Sequence, residues 1–413
     1  MKPSSSSRRF AGALAAAIIL AAAAAFAAAK PAKPATPEKA PEVSAASLLG
    51  AEVKGDNWTV APTVKSDGFV RIFALTTPYG DFQVNGRRRM QQRLQELRAL
   101  HVLEGMSKSR EFMNALANAG MAPIRFGRDL VLDPVETTGN VVSGIGKMFS
   151  NVAAGVSGKG GGRDSAMGSI TGQTAAEREL AFRLGVDPYT DFTPLRKGLD
   201  DVARAMTAGG LTVTAAIAVI PGGAGVAVSA TSASADFAHS MASKTAADIA
   251  ALVRAKLKAL GVEAATIDAF VDNRSYSPAD LFAIADALEI LHAANSAAFV
   301  AAAAAAESAD VAKFNRYRAE LLAADSARLG NLNAFLTAGD VAVTMNAKGH
   351  IVAAFPFDLV AWTATVSASL TRLTADVTAR NPHVQRFFAT TGPVSARAAA
   401  ELKKLGWTLV KVD

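Results

Sequence analysis

The alternation of apolar and polar positions changes period several times along the chain. Between residues 57 and 86 it has the two-residue period of strands. "NWTVAPTV" and "GFVRIFALTT" are rich in β-branched and aromatic residues, "KSDG" between them is a turn signal, and "YGDFQVNG" adds a third run. A helical period starts near Arg87, where Met90, Leu94, Leu97 and His101 follow at steps of four, three and four. "KSREFMNALANAG" predicts a second helix, capped by Ser107 or Ser109 and stopped at Gly120. "RFGRDLVLDP" predicts a third, ended before Pro134.

From 173 to 338 the pattern is helical again. "TAAERELAFRLG" and "TPLRKGLDDVARAM" are capped amphipathic segments, and "KTAADIAALVRAKLKALG" sets Ile249, Leu252, Val253, Lys256 and Leu260 on one side. "SPADLFAIADALEILHAAN" opens with serine as cap and proline in the first turn, and its stripe is Leu281, Ile284, Leu288 and Leu291. "DVAKFNRYRAELLAADSARLGNLNAFLTAG" reads as the longest helix. Helices joined this closely predict a bundle.

After residue 338 strands return. "DVAVTMNAKGHIVAAFPFD" is two strand-like runs around Asn346–Gly349, a hairpin signal. Leu359, Val366, Leu370, Leu373 and Val377 mark a helix. "RFFATTGPVSARAAAELKKLGWTLVKVD" then reads as strand, capped helix, glycine stop at Gly406, strand, which favours a right-handed crossover. The expected fold class is mainly α: a helical bundle, a small N-terminal β cluster, and a C-terminal α+β unit made of a hairpin plus strand–helix–strand.

Composition sets the organisation. "MKPSSSSRRF" is a basic start and "AGALAAAIILAAAAAFAAA" an apolar run ending in small residues before Lys30, so 1–29 reads as a secretory signal peptide. Residues 30–50 open with alternating proline, alanine and charge and are expected to be a solvated linker. The remaining divisions are 51–134 (β cluster plus helices), 135–172 (Gly/Ser-rich, with a flexible loop from Gly155), 173–338 (helical bundle) and 339–413 (α+β unit). Removing Lys2, Arg8 and Arg9 with the signal leaves 40 of 43 basic side chains against 36 acidic ones. That excess is too mild and too spread out to suggest nucleic acid. Cysteine is absent, which excludes disulfides, thiolate metal sites, thiol nucleophiles and a lipoprotein anchor.

Motif chemistry is sparse. "AAGVSGKGGGRDS" at 153–165 fails as a phosphate-binding loop: Gly160 follows Gly158-Lys159 where a hydroxyl is needed, the leading position is Ala153, and no apolar strand precedes it. No cofactor-binding residue is assigned. Glu289 and His292 share a helix face, and Asp236 and His239 do the same if that segment is helical. With Glu307 and Glu320 on following segments they form a weak metal inventory, and surface charge beside a core stripe is the preferred reading. His101 falls on an apolar face and is expected to be half-buried. No Gly-x-Ser-x-Gly, Ser-x-x-Lys or His-Glu-x-x-His occurs. Thr391 and Ser395 lie near a helix start, where Ser395 serves as a cap. Arg87, Arg88, Arg89, Arg93 and Arg98 make a basic patch. A solvated helix face is favoured over a site for an anionic partner.

Between Arg204 and Asp236 there is no charged residue, and Pro221-Gly222-Gly223 breaks the run once. Each arm is about ten residues, or ~15 Å as helix, half of a hydrocarbon core. Burial of 205–235 as a hairpin inside the bundle is favoured over membrane insertion. These patterns lead to an exported, periplasmic or secreted protein of the bacterial cell envelope, acting as a non-enzymatic interaction or scaffold module. A membrane-active protein using 205–235 is the first alternative, and an envelope hydrolase with a site assembled from distant residues the second.

Overall fold

The N-terminal strands form because Trp58, Val60, Val64, Phe73, Leu75 and Val84 all reach one apolar core, their inward positions alternating with exposed ones. In the computed structural model, which describes residues 36–124, 126, 143–154, 174–213, 237 and 241–412, this region holds six strands, one short α-helix and a 3-10 turn at Gly50–Val53. They are β1 (Val43–Ser44), α1 (Ala45–Leu49), β2 (Lys54–Gly55), β3 (Trp58–Val60), β4 (Thr63–Ser66), β5 (Arg71–Thr77) and β6 (Gly80–Asn85). β5 is the spine: β6 pairs along one side of it, β3 and β4 share the other, and every pairing is antiparallel. The chain already joins the fold at Glu38, whose N–H donates to Trp362 O at 2.9 Å, and Ala45 and Leu49 are buried. The solvated linker expected over 30–50 therefore does not extend through its second half, because apolar positions there find partners in the sheet.

α2 (Arg87–Ser107) lies on this sheet through Met90, Leu94, Leu97, Leu100 and Leu103, all fully buried. The stripe advances by three after Leu97, which rotates His101 outward. Its side chain is 54% exposed, against the half-buried position expected for it. α3 (Arg110–Asn118), capped by Ser109, and α5 (Ala175–Arg183) and α6 (Thr193–Ala208) complete this core. α4 (Gly144–Ala154) belongs to the other half.

A second core gathers α7 (Ala246–Ala259), α8 (Ala264–Val271), α9 (Pro278–Leu291), α10 (Ser296–Ala304) and α11 (Ala309–Ala324) against a five-stranded sheet. Ser277 caps α9 in a reciprocal box with Asp280, as the Ser-Pro start suggests. The sheet holds β7 (Leu332–Ala338), β8 (Val341–Asn346), β9 (Ile351–Phe355), β10 (Arg386–Thr390) and β11 (Trp407–Lys411) in the order β11-β10-β9-β8-β7. β9, β10 and β11 are parallel, connected through α12 (Ala364–Arg380) and α13 (Ala396–Lys404); β7 and β8 are antiparallel additions.

β7 corrects the expectation of a single long helix from 310 to 339. α11 stops at Ala324, and Gly330 (φ 92°) and Asn331 (φ 62°) reverse the chain. A bulge between Leu332 and Ala334 spaces the buried residues of β7 as Leu332, Phe335 and Ala338. A three-residue spacing of that kind imitates a helix.

The two cores meet at an aromatic cluster. The Phe149 ring of α4 lies 4.8 Å from Phe69, 5.2 Å from Phe357, 5.6 Å from Phe355 and 6.1 Å from Phe314. These side chains come from the turn before β5, the end of β9 and α11, so one buried contact set unites both sheets and two helices. The segments expected to form a signal peptide, a third N-terminal helix and a glycine-rich loop, and most of the uncharged 205–235 segment, lie outside the described residues. Among the described residues, no helix is long and apolar enough to cross a membrane. The fold class is thus a mixture of helices with two sheets, one antiparallel and one mixed.

Candidate functional site: a charged junction and its cleft

Beside the aromatic cluster the two cores are bridged by buried charge. On α2, Arg89 and Arg93 fall one turn apart on the flank of the apolar stripe, with Glu96 one further turn along. All three are buried. Arg89 pairs with Asp191, Arg93 Nη2 lies 3.4 Å from the same carboxylate, and Arg93 Nη1 is 3.1 Å from Glu96. Thr190 donates to Glu96 at 2.6 Å, and the Arg93 guanidinium lies 3.9 Å over the Phe192 ring. Burial works against the charge on Asp191, but Arg89 and Arg93 outweigh it and hold the carboxyl well below the usual range.

A second group lies on α9 and α11. Lys313 Nζ is 2.8 Å from Asp280 Oδ1, and both side chains are almost fully buried, at 4% and 1% exposed. Arg316 adds a contact at 3.3 Å to Asp280 and one at 2.8 Å to Glu320, and Glu320 also receives Arg88 at 2.6 Å. Desolvation opposes both charges of the Lys313–Asp280 pair. Their attraction prevails, lowering the acid and raising the amine. Asp187 stands nearby with its pKa raised by burial, accepting from Tyr189 N at 2.8 Å.

Between these groups opens a small cleft of about 40 Å³. Its base lies past the carboxyl ends of β9 and β10, at Pro356, Asp358 and Thr391. Ligands of open sheets with parallel strands settle at that end. Asp358 reaches across to the first half of the chain. Its carboxylate accepts the N–H of Arg71 at 2.8 Å and that of Arg87 at 2.9 Å. Gly86, at the start of α2, has no capping side chain, so Asp358 caps the helix from a remote loop. Burial pushes the Asp358 carboxyl up to about 6, although both N–H donors and the Arg71 charge pull it down. Asp310, in the first turn of α11, accepts from Asn85 at 2.6 Å and is likewise raised by burial.

The arginines of the basic patch do not share one solvated face. Arg89 and Arg93 are buried in ion pairs. Arg88 pairs with Glu320 and lies 4.0 Å over the Tyr317 ring, and Arg98 pairs with Glu52. Arg87 is exposed. A surface-face reading fails for Arg89 and Arg93 because acids from distant segments, Asp191 above all, neutralise them inside the fold. Of the weak metal candidates, Glu289 pairs with Lys256, and His292 is exposed in the left-handed position that ends α9. Asp236 and His239 lie outside the described residues. Glu307 is exposed and Glu320 is taken by two arginines. Among the described residues, no group of three or more potential metal ligands occurs. Ser395 caps α13, donating in turn to Glu38, and Thr391 Oγ1 donates to Phe357 O at 2.9 Å.

Pattern reading passes over Asp187, Asp191, Asp310 and Asp358. The one local signal is on α2, where charges at 89, 93 and 96 keep step with Met90, Leu94 and Leu97 instead of facing away from them. No protein family model, curated protein or solved structure matches this chain.

Proposed function

We propose that the chain is an exported, non-enzymatic interaction protein of the bacterial cell envelope, whose folded body presents a polar cleft. One observation carries the reading: the acids and bases around the cleft are engaged with each other. Asp191, Asp280 and Glu320 each hold two cationic side chains, and Asp358 holds two backbone N–H groups. Groups fixed this way give a rigid recognition surface, whereas a general base or nucleophile needs a partner at its reacting atom. Export rests on the basic start, apolar run and proline spacer. Within the body, we read α7 to α11 as a helical bundle, with α9 packed on both α7 and α11, followed by the C-terminal α+β unit.

Fractionation of cells expressing the tagged full-length chain, followed by N-terminal sequencing and crosslinking, tests this. The expected result is protein outside the inner membrane, processed near Lys30 and crosslinked to an envelope component. An intact N-terminus on cytosolic protein overturns it, as does dye release from liposomes by the purified chain.

A further inference from the structure

We infer that β11, the open edge of the C-terminal sheet, is a docking strand for an extended acidic segment of a partner protein, which joins the sheet as a further strand. This rests on the reading of the chain as an interaction protein and gives it a surface and a partner chemistry. The five-stranded sheet ends in β7 on one side and β11 on the other, and the chain closes the β7 side. There, Ala294 N donates to Asn333 O at 2.8 Å and Phe335 N to Ala294 O at 2.9 Å. Asn295 Nδ2 donates to Phe335 O at 3.0 Å, and Arg380 Nη1 donates to Thr337 O. β11 is left open. It is a regular strand, in unbroken parallel register with β10 from Trp407 to Lys411. Val412 N donates to Thr390 O, so strand alternation turns the backbone of Thr408 and Val410 toward β10 and that of Trp407, Leu409 and Lys411 outward. Among the described residues no backbone or side-chain partner meets those outward groups, and Thr408, Leu409 and Lys411 are exposed.

The side chains around this edge choose the occupant. Trp407 Nε1 donates to Thr374 of α12 at 2.7 Å, so Trp407, Leu409 and Lys411 face the helical side of the sheet that carries α12. Leu409, 37% exposed, is an apolar foothold at the middle of the strand. Basic residues stand at both ends of it: Lys403 and Lys404 close α13 just before β11, and Lys411 closes the strand. Glu401 is the one acid on α13 and β11, and Lys404 takes it at 2.7 Å. Among the described residues, Lys403 and Lys411 have no ion pair. A second copy of this chain fits this edge poorly. Two-fold pairing about Leu409 runs β11 antiparallel to itself and brings two basic flanks together, and a lysine on an exposed edge keeps like strands apart in this way. A nucleic acid has no peptide backbone to pair with the strand. A segment with glutamate or aspartate at alternate positions gains main-chain hydrogen bonds, a contact for Leu409 and a charge match at both ends.

Fluorescence anisotropy on the purified chain tests the inference with a short labelled peptide that alternates valine and glutamate. The expected result is binding with a dissociation constant on the order of 100 μM, and slower amide exchange at Leu409 when the peptide is added. Exchanging the peptide's glutamates for lysine inverts its charge, and N-methylating its backbone removes its main-chain donors; each is expected to weaken binding at least about tenfold. Leu409→Pro removes an outward N–H and no hydrogen bond of the sheet, and is expected to weaken binding at least about tenfold as well. If that variant does not fold, Lys403→Glu combined with Lys411→Glu is expected to have the same effect. Wild type that ignores the acidic peptide overturns the proposal. So does equal binding of the lysine or N-methylated peptide, or binding untouched by both sets of substitutions. A wild-type dimer in sedimentation that Leu409→Pro converts to monomer also overturns it, and makes a second copy the occupant. Displacement of the peptide by duplex DNA at lower concentration overturns it in favour of a nucleic acid. None of these results bears on the fractionation outcome, so the two readings fail separately.

Discussion

The raised Asp358 carboxyl predicts a rise in stability on mild acidification, and replacing Asp358 with asparagine is expected to flatten it. Burial holds this carboxyl at about 6 against an ordinary 3.8. That gap corresponds to about 3 kcal/mol in favour of the protonated form in the folded state. Between those two values the folded chain keeps a proton that the unfolded chain releases, so this group adds stability as pH falls through the window. Worked through the linkage relation, the gain is about 1 kcal/mol from pH ~7.5 to ~5 and about 2 kcal/mol by pH ~4. The ion-paired acids act the other way and lower down. Asp191, Asp280 and Glu320 are held below their usual range, so their contribution is present above about pH 4 and is lost beneath it. Asp310 and Asp187 are raised like Asp358 and remain in the variant, so the difference between wild type and variant isolates Asp358. Asparagine retains one oxygen at the place where the N–H groups of Arg71 and Arg87 converge, which keeps α2 capped. Urea unfolding followed by circular dichroism at about pH 7.5, 5 and 4 reads the effect. The reasoning fails if the variant gains as much stability on acidification as wild type, within about 0.5 kcal/mol.

Three further substitutions probe the junction. Lys313→Met removes one member of a buried pair and leaves Asp280 with Arg316 as its one cation; a loss of about 3 kcal/mol in urea unfolding is expected, and a change below about 1 kcal/mol contradicts the burial of that pair. Phe149→Ala empties the centre of the aromatic cluster, with an expected cost of about 3–5 kcal/mol and a cavity detectable by xenon binding. Gly392→Ala places a Cβ 2.1 Å from the carbonyl oxygen of Asp358, so the loop carrying Asp358 must move; a loss of about 3 kcal/mol and faster amide exchange at Arg87 are expected.

Local chemistry made several elements readable. Ser277-Pro278 and Ser395 announce α9 and α13, Asn346–Gly349 announces the hairpin of β8 and β9, and the Val366–Val377 stripe announces α12. Each depends on residues within a few positions of one another. β7 was not readable because its bulge converts a two-residue period into a three-residue one. The junction was hidden for a different reason. Arg89 and Arg93 look solvated until Asp191 arrives from about a hundred residues away. Asp358 looks like a polar residue closing a strand until its partners at Arg71 and Arg87, 287 and 271 positions distant, are known. Pairings at that separation leave no periodic trace.

Glu38 has a bearing on how the molecule matures. Its carboxylate receives the N–H of Trp362 and the hydroxyl of Ser395, a partner 357 positions away. This clasp closes only after the segment bearing α13 has emerged from the ribosome, so Glu38 is among the last residues to be fastened. Ring closure over so great a contour carries an entropic cost that grows slowly with length, yet it delays the step in time. Newly made chains therefore pass through a stage in which Glu38 is not yet held, and the strand that follows it, β1, is secured at this end only once the chain is complete.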